Sequence, residues 1–363
     1  MGASPEGVVV NKVLVVGSIL VLAAAAYVLK PLLFPGASDA LTLYCSVDQD
    51  QSQPVVEAYR KASGKAVTLV GETEANRSIG ITKRLEAERE HPVADVVWAN
   101  EIMNTVALAD LGVFAPMPKD LVEAFPPRWR DAKGRFVAFA GRARIILVNT
   151  KLLPDPKDWP SSVADLLDPR FGGDGRRMAM ARPLVGTTYA HAVALLTRDA
   201  EAGKKFFTDV AARAAAGDVK ILPGNGTVMR LVADASNGVA WGLTDTDDAR
   251  VAIERGDPVA VVYPDQAEGR PGTLVIPNTV ALVRGGDFPA DAEAFARWLL
   301  STANEGALAA GPIANIPLRD DVEAPPHVKR PGRDFRAMDV DWAAVGRDRD
   351  RWQGFLAGLF QAR

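Results

Sequence analysis

One cysteine, Cys45, stands in a chain of 363 residues. A lone thiol forms no internal bridge, so disulfides neither staple this fold nor report its compartment. Histidine is nearly as scarce: His91, His191 and His327 lie far apart and show no metal-ligand spacing. The five tyrosines include no adjacent pair. Neither sign of charge dominates, with 42 Lys and Arg against 45 Asp and Glu for a formal net charge of −3. No global basic field is there to attract nucleic acid. Basic helices, zinc spacings and aromatic–basic interleaving are missing too, so nucleic-acid binding is set aside. G-x-S-x-G, a P-loop and a plausible triad are also lacking, which leaves little room for an enzyme beyond one working through carboxylates alone.

What is present is a globular composition, 48% apolar and 24% charged, in a chain long enough for two domains. The run from Val13 to Leu29 carries no charge and is flanked by Lys12 and Lys30. It is longer than the ~7–15 apolar residues of a signal-peptide core and approaches the ~20 that span a bilayer. The expectation is a signal anchor, a transmembrane segment with its linker, over residues 1–38, with cleavage near "PGASDA" as the alternative. Either way, residues 40 to 363 would lie outside the cytoplasmic membrane.

Beyond it, strand-like runs alternate with helix-like ones. "ALTLYCSV", "KAVTLVG" and "ADVVWAN" read as strands. "SQPVVEAYRKASG", "NRSIGITKRLEAERE" and "EIMNTVALADLGVF" read as helices. This spacing predicts an α/β fold with a parallel sheet covered on both sides. "RFVAFAGRARIILVNTKLL" gives two strand-like runs joined by a basic kink, and a second α/β set follows to "DDARVAIERG". "DAEAFARWLLSTANEGALAAG" reads as one long helix. A tail after residue 320, rich in Pro, Arg and Asp, ends in the amphipathic "DRWQGFLAGLFQAR".

Three features of the second set draw attention. "WGLTDTDDAR" places Asp245, Asp247 and Asp248 at a strand-to-helix turn. Acids there cap a helix and suit its dipole, and they also edge any cleft at the strand ends. "LVGTTYAH" and "GNGTVMR" open two helices with Gly186, Thr187, Thr188, Asn225 and Thr227, whose backbone N–H groups and side chains suit an anion. Ordinary capping explains the same residues. Arg142 and Arg144 alternate onto one face of their strand, facing either an anion, nearby acids or solvent.

"LTLYCSVDQDQSQPVVEAYRKASGKAVTLV" resembles the first β-α-β unit of bacterial extracellular solute-binding proteins of ABC importers, in the ferric-iron-binding branch. "PVADVVWANE", "AGRARIILVNTKLL", "GTTYAHAVALL", "SNGVAW", "VIPNTVAL" and "NIPLR" follow in that family's order, so the resemblance spans roughly residues 40 to 320. It implies a two-lobe periplasmic-binding-protein fold with a ligand cleft at a hinge. The lobes would cross near "AGRARI" and "TLVIPNT": residues 39–140 plus 275–320 in lobe 1, and 141–274 plus 321–363 in lobe 2 with the tail packed on it. It implies a receptor that performs no chemistry, closes on its cargo, and hands it to an ABC permease and ATPase in the membrane.

In that branch, iron is held by an adjacent tyrosine pair, often with a histidine and a glutamate. Here the tyrosine positions fall in "LTDTDDA", the histidine near Asp48, and the glutamate at Asn100 with Glu101 beside it. The resemblance therefore points to Asp48, Glu101, Asp245 and Asp247 as metal candidates, because a hard cation prefers oxygen. Asn100, Arg142, Arg144, Gly186, Thr187, Thr188, Asn225, Thr227 and Asp248 complete the ligand candidates. The branch holds a synergistic phosphate or carbonate on the two glycine–threonine loops. The expected cargo is thus ferric iron with such an anion, or a small organic anion such as an organophosphate, with no cofactor required. The alternatives are a sensory module signalling to a separate membrane partner and a carboxylate-based hydrolase.

Overall fold

The structure is a computed structural model that describes residues 40–72, 80–172 and 177–361. The expected anchor at residues 1–38 lies outside them. Among the described residues no helix is long and apolar enough to cross a membrane.

β1 (Leu41–Cys45) is buried at every position, the apolar run of a strand covered on both faces. α1 (Gln49–Ser63) follows and buries Val56 and Tyr59. It ends where Gly64 adopts a left-handed conformation (φ 70°) and its N–H meets the Arg60 carbonyl. β2 (Val67–Gly71), α2 (Gly80–Ala87), β3 (Val96–Ala99), α3 (Ile102–Asp110), β4 (Phe114–Ala115) and α4 (Lys119–Glu123) complete the first set. After β5 (Val137–Asn149) come β6 (Arg177–Ala181), α5 (Gly186–Arg198), α6 (Ala200–Ala215), β7 (Val219–Leu222), α7 (Asn225–Ala233), β8 (Val239–Asp245), α8 (Thr246–Glu254) and β9 (Val259–Val262). β10 (Val275–Val283), α9 (Pro289–Leu299), α10 (Thr302–Ala310) and α11 (Trp342–Phe360) close the chain.

The strands line up as β2-β1-β3-β10-β5-β8-β6-β7, with β4 on β10 and β9 on β5. β1, β2 and β3 are mutually parallel, as are β6, β7 and β8; β10 and β5 run antiparallel to their neighbours. The fold is therefore two α/β lobes, each built on its own parallel strands.

β5 corrects the expectation of two runs: it is one strand of 13 residues, buried throughout. Its partner changes from β10, last met at Ala143, to β8, first met at Arg144. The kink is real but lies in the backbone: Ala140 sits at φ 45°. It is held there by Glu305, which accepts from the Ala140 N–H at 3.0 Å, and by Asn278, which donates to the Ala140 carbonyl at 2.6 Å. The expected long helix is two, α9 and α10. It breaks after Leu299 because Ser301 caps a new helix by accepting from the Asn304 N–H.

α11 buries Trp342, Val345, Trp352, Leu356 and Phe360. It packs on α5 and α6, and also on α3 of the other parallel set. Two apolar clusters fill the interior. The smaller gathers Leu43, Val56, Tyr59, Phe139 and Phe295, with the Tyr59 and Phe295 rings edge to face at 4.9 Å.

Candidate functional site

Parallel strands end on one side of a sheet, and the helices that follow begin there. In this protein β1, β3, β6, β7 and β8 all deliver their C-terminal ends to one cavity of about 520 Å³. Asp48 and Asp50 from the start of α1 and Asn100 after β3 form one wall. The other is built from Arg182, the start of α5 (Val185 to Thr188), the start of α7 (Gly224 to Gly226), and Asp245, Asp247 and Asp248. Arg142 of β5 lies between.

The four helices that begin at the cavity share a trait. α1, α5, α7 and α8 start at Asp48, Val185, Gly224 and Asp245, and none of these gives its helix a side-chain cap. Of the helices that start elsewhere, α3, α6, α10 and α11 are capped by Glu101, Asp199, Ser301 and Asp341, while α4 and α9, starting at Pro118 and Phe288, are also without a side-chain cap. Valine and glycine have no acceptor to offer, so the first N–H groups of α5 and α7 remain directed at the cavity.

Asp245 is the hub that holds these helix starts together. Its carboxylate accepts from Arg144 Nη1 at 2.7 Å, Thr187 Oγ1 at 2.6 Å and Asn225 Nδ2 at 2.8 Å. Arg144 Nη1 and Thr188 Oγ1 also donate to Asn225 Oδ1, at 3.1 and 3.0 Å. Arg142 donates to the Asn100 carbonyl at 2.6 Å and stands 3.9 Å from Asp245.

Asp247 and Asp248 are in a different state. Burial, with neighbouring carboxylates adding to it, raises both above the ordinary aspartate range; Arg142 partly offsets this at Asp247. Asp248 accepts from Thr244 Oγ1 at 2.8 Å, whereas Asp247 Oδ1 is buried without a hydrogen-bond partner. One carboxylate oxygen from each of Asp245, Asp247 and Asp248 lies within 4.8 Å of the others. Nearby His191 is buried, and desolvation, then the Arg144 charge, pushes it down to about 3, so it stays neutral.

Ten of the expected ligand residues line this cavity: Asp48, Asn100, Arg142, Gly186, Thr187, Thr188, Asn225, Asp245, Asp247 and Asp248. Three do not. Glu101 turns away to cap α3, accepting from the Met103 and Asn104 N–H groups at 2.6 and 3.1 Å, and lines a separate cavity. Thr227 is held within its own helix by Arg230, at 3.0 Å. Arg144 has a side chain only 1% exposed and acts through Asp245 and Asn225. The four metal candidates are therefore not one set: Glu101 is elsewhere and Asp245 is already neutralised by Arg144. The threonine hydroxyls, expected as anion donors, give their protons to Asp245 and Asn225, which leaves the backbone N–H groups for that task.

Arg182 was not foreseen. It follows β6 into the cavity with its Nε buried and unpartnered, and its only sequence signal is a cation at a strand's C-terminal end.

Two α/β lobes with helix starts gathered on a shared cavity define a binding protein of the periplasmic type. The chain belongs to the bacterial extracellular solute-binding protein family, whose pattern matches residues 55–334. The probable ABC transporter periplasmic-binding protein y4fP of Sinorhizobium fredii is 25% identical over 337 residues, covering 91% of this chain and 88% of that one. Iron-bound HitA of Pseudomonas aeruginosa superposes with a TM-score of 0.75 at 20% identity, over 87% of this chain and 98% of that one. AfuA of Actinobacillus pleuropneumoniae, solved with exogenous fructose 6-phosphate, gives 0.73 at 17% identity, over 90% and 100%. At such identities the likeness to the two solved proteins shows the fold. The family is one of extracytoplasmic receptors that bring a small ligand to a membrane permease and its ATPase, not of enzymes.

Proposed function

We propose that this receptor's cargo is a small phosphorylated organic molecule, its anionic group seated on the starts of α5 and α7 and its hydroxyls read by Asp48, Asn100, Asp247 and Asp248. The observation that carries this is the pair of uncapped helix starts, at Val185 and Gly224, facing one cavity beside Arg142 and Arg182. Each helix start favours an anion by about 0.3–1 kcal/mol, more when partly buried, and an arginine adds charge-assisted donors. A volume of about 520 Å³ suits an organic solute rather than a bare ion. AfuA, of the same fold, was solved with a sugar phosphate. Carboxylates raised toward protonation accept from and donate to sugar hydroxyls.

Ferric iron is the second reading, supported by the closeness of Asp245, Asp247 and Asp248. Against it, no tyrosine or histidine among the described residues lines the cavity, and one of the three acids is paired with Arg144. Elemental analysis joined to native mass spectrometry of the isolated protein decides between them. A retained metal without an organic ligand would sink the phosphorylated-cargo reading.

The lobes in this account divide as the resemblance implies, at the β5 and β10 crossings, with the cleft closing on the cargo. The apolar run at residues 13–29 would keep the receptor at the membrane, which membrane fractionation of the full chain tests.

A further inference from the structure

α8 presents two faces to two cavities. Asp247, Asp248 and Val251 line the cargo cavity, whereas Thr246, Ala249, Arg250 and Ile253 line another, of about 260 Å³. At about 3.6 residues per turn these two sets project from opposite sides of the helix. β9 adds Val261 to the second cavity, and Tyr263 follows it. Ala314 and Ile316 come from the segment after α10, and His327, Val328 and Lys329 from the tail. No lining residue is common to the two cavities.

The chemistry of this lining is one-sided. Ile253, Val261, Ile316 and Val328 make an apolar wall, to which the Tyr263 ring, stacked on Phe335 at 4.5 Å, adds a rigid aromatic surface. Its charged groups are Arg250 and Lys329, with the His327 imidazole beside them; among the described residues no Asp or Glu lines it. Glu254 pairs with Arg250 through Nη2 at 2.5 Å, but Arg250 Nε stays buried without a hydrogen-bond partner. The Lys329 side chain makes no ion pair among the described residues. A desolvated donor and an unpaired cation over an apolar wall favour an anion with an apolar body.

We infer that this cavity is a second ligand site, which takes a small aromatic carboxylate: its ring lies on the apolar wall and its carboxylate meets Arg250 and Lys329. The volume falls just below the ~300–1,000 Å³ of sites for drug-sized molecules and suits one or two fused rings. A rigid planar acid also gives up less rotamer freedom on binding than a flexible aliphatic one. The inference does not depend on which cargo the first cavity takes.

Calorimetric titration of the purified protein with 2-naphthoate and with its neutral isostere 2-naphthamide tests it. The acid is expected to bind saturably, with a dissociation constant on the order of 1 mM or below, and the amide at least about tenfold more weakly. Ile253 is 46% exposed, so Ile253→Asp puts a like charge on the wall without emptying a core position. This variant and Arg250→Gln, each checked for folding by its melting curve, are expected to lose about tenfold or more in affinity for 2-naphthoate. Val185→Asp burdens the cargo cavity instead and is expected to leave that affinity unchanged. Absent saturation with 2-naphthoate, equal binding of the amide, undiminished affinity in folded Ile253→Asp, or a loss in Val185→Asp overturns the inference.

Discussion

Arg144 and Asp245 face each other in register across β5 and β8, and their side chains meet at 2.7 Å with 1% and 4% of their surfaces exposed. A strand pair thereby sets an ion pair, and the ion pair sets the starts of α5 and α7 through Thr187 and Asn225. Sequence position alone would make Asp245 a ligand like its neighbours. Its bonding makes it a structural counter-charge.

The three acids of the turn should accordingly separate on mutation. Asp245→Ala leaves the Arg144 charge buried and unpaired, and should cost about 3–5 kcal/mol in urea unfolding. Asp247→Ala removes a desolvated carboxylate whose Oδ1 has no partner, and should leave stability unchanged or slightly higher while weakening cargo binding.

The pH dependence of stability follows from the same contrast. Asp247 and Asp248 hold their protons more tightly in the folded chain than in the unfolded one. Their contribution is full below the ordinary aspartate pKa and is lost as pH rises through their raised folded values. Asp247→Asn with Asp248→Asn should therefore flatten the decline toward neutral pH and stabilise the protein there by on the order of 1 kcal/mol. His191 works the other way. It is neutral when folded, so its contribution is present above about 6.5, the unfolded histidine value, and is lost as pH falls toward about 3. Thermal melts from pH 4 to 8 on the double variant and on His191→Gln resolve the two slopes.

A cap introduced at Val185 should trade binding for stability. Val185 is 41% exposed and sits at the N-cap of α5. Val185→Asp would satisfy the helix's own N–H groups and place a like charge where the anion sits. The expected result is about 0.5–2 kcal/mol of added stability without cargo and a loss of affinity. Paired melting and titration experiments check both.

The contact of α11 with α3 should tolerate no side chain at Gly346. Gly346→Ala forces Val106 to shift and should cost about 1–3 kcal/mol, largely restored by adding Val106→Ala. Denaturant unfolding of the two single variants and the double variant measures the coupling.

The alternation of strands and helices was legible because each strand of the parallel sets is a short apolar run and each helix has one apolar face. The turn at Asp245 to Asp248 was legible as a cleft edge for a related reason: it ends a strand of a parallel set. Glu101 misled because a strand's end offers its side chain either to a cleft or to the next helix, and only the backbone path chooses. Val185 and Gly224 carry no chemistry in their side chains. What matters there is an absent cap, which becomes visible only when two helix starts are found facing one space. The reach of α11 to α3 was hidden because an amphipathic face tells what it buries and not against whom.

The central claim is that this cavity grips an anionic group with helix starts and not a metal with side-chain oxygens. Calorimetric titration of the purified protein with a hexose 6-phosphate, the same sugar unphosphorylated, and ferric iron tests it most directly. The account predicts saturable binding of the phosphate ester alone, weakened about tenfold or more, or about 1.4 kcal/mol, by Val185→Asp. Tight binding of ferric iron with no response to phosphate esters would contradict it.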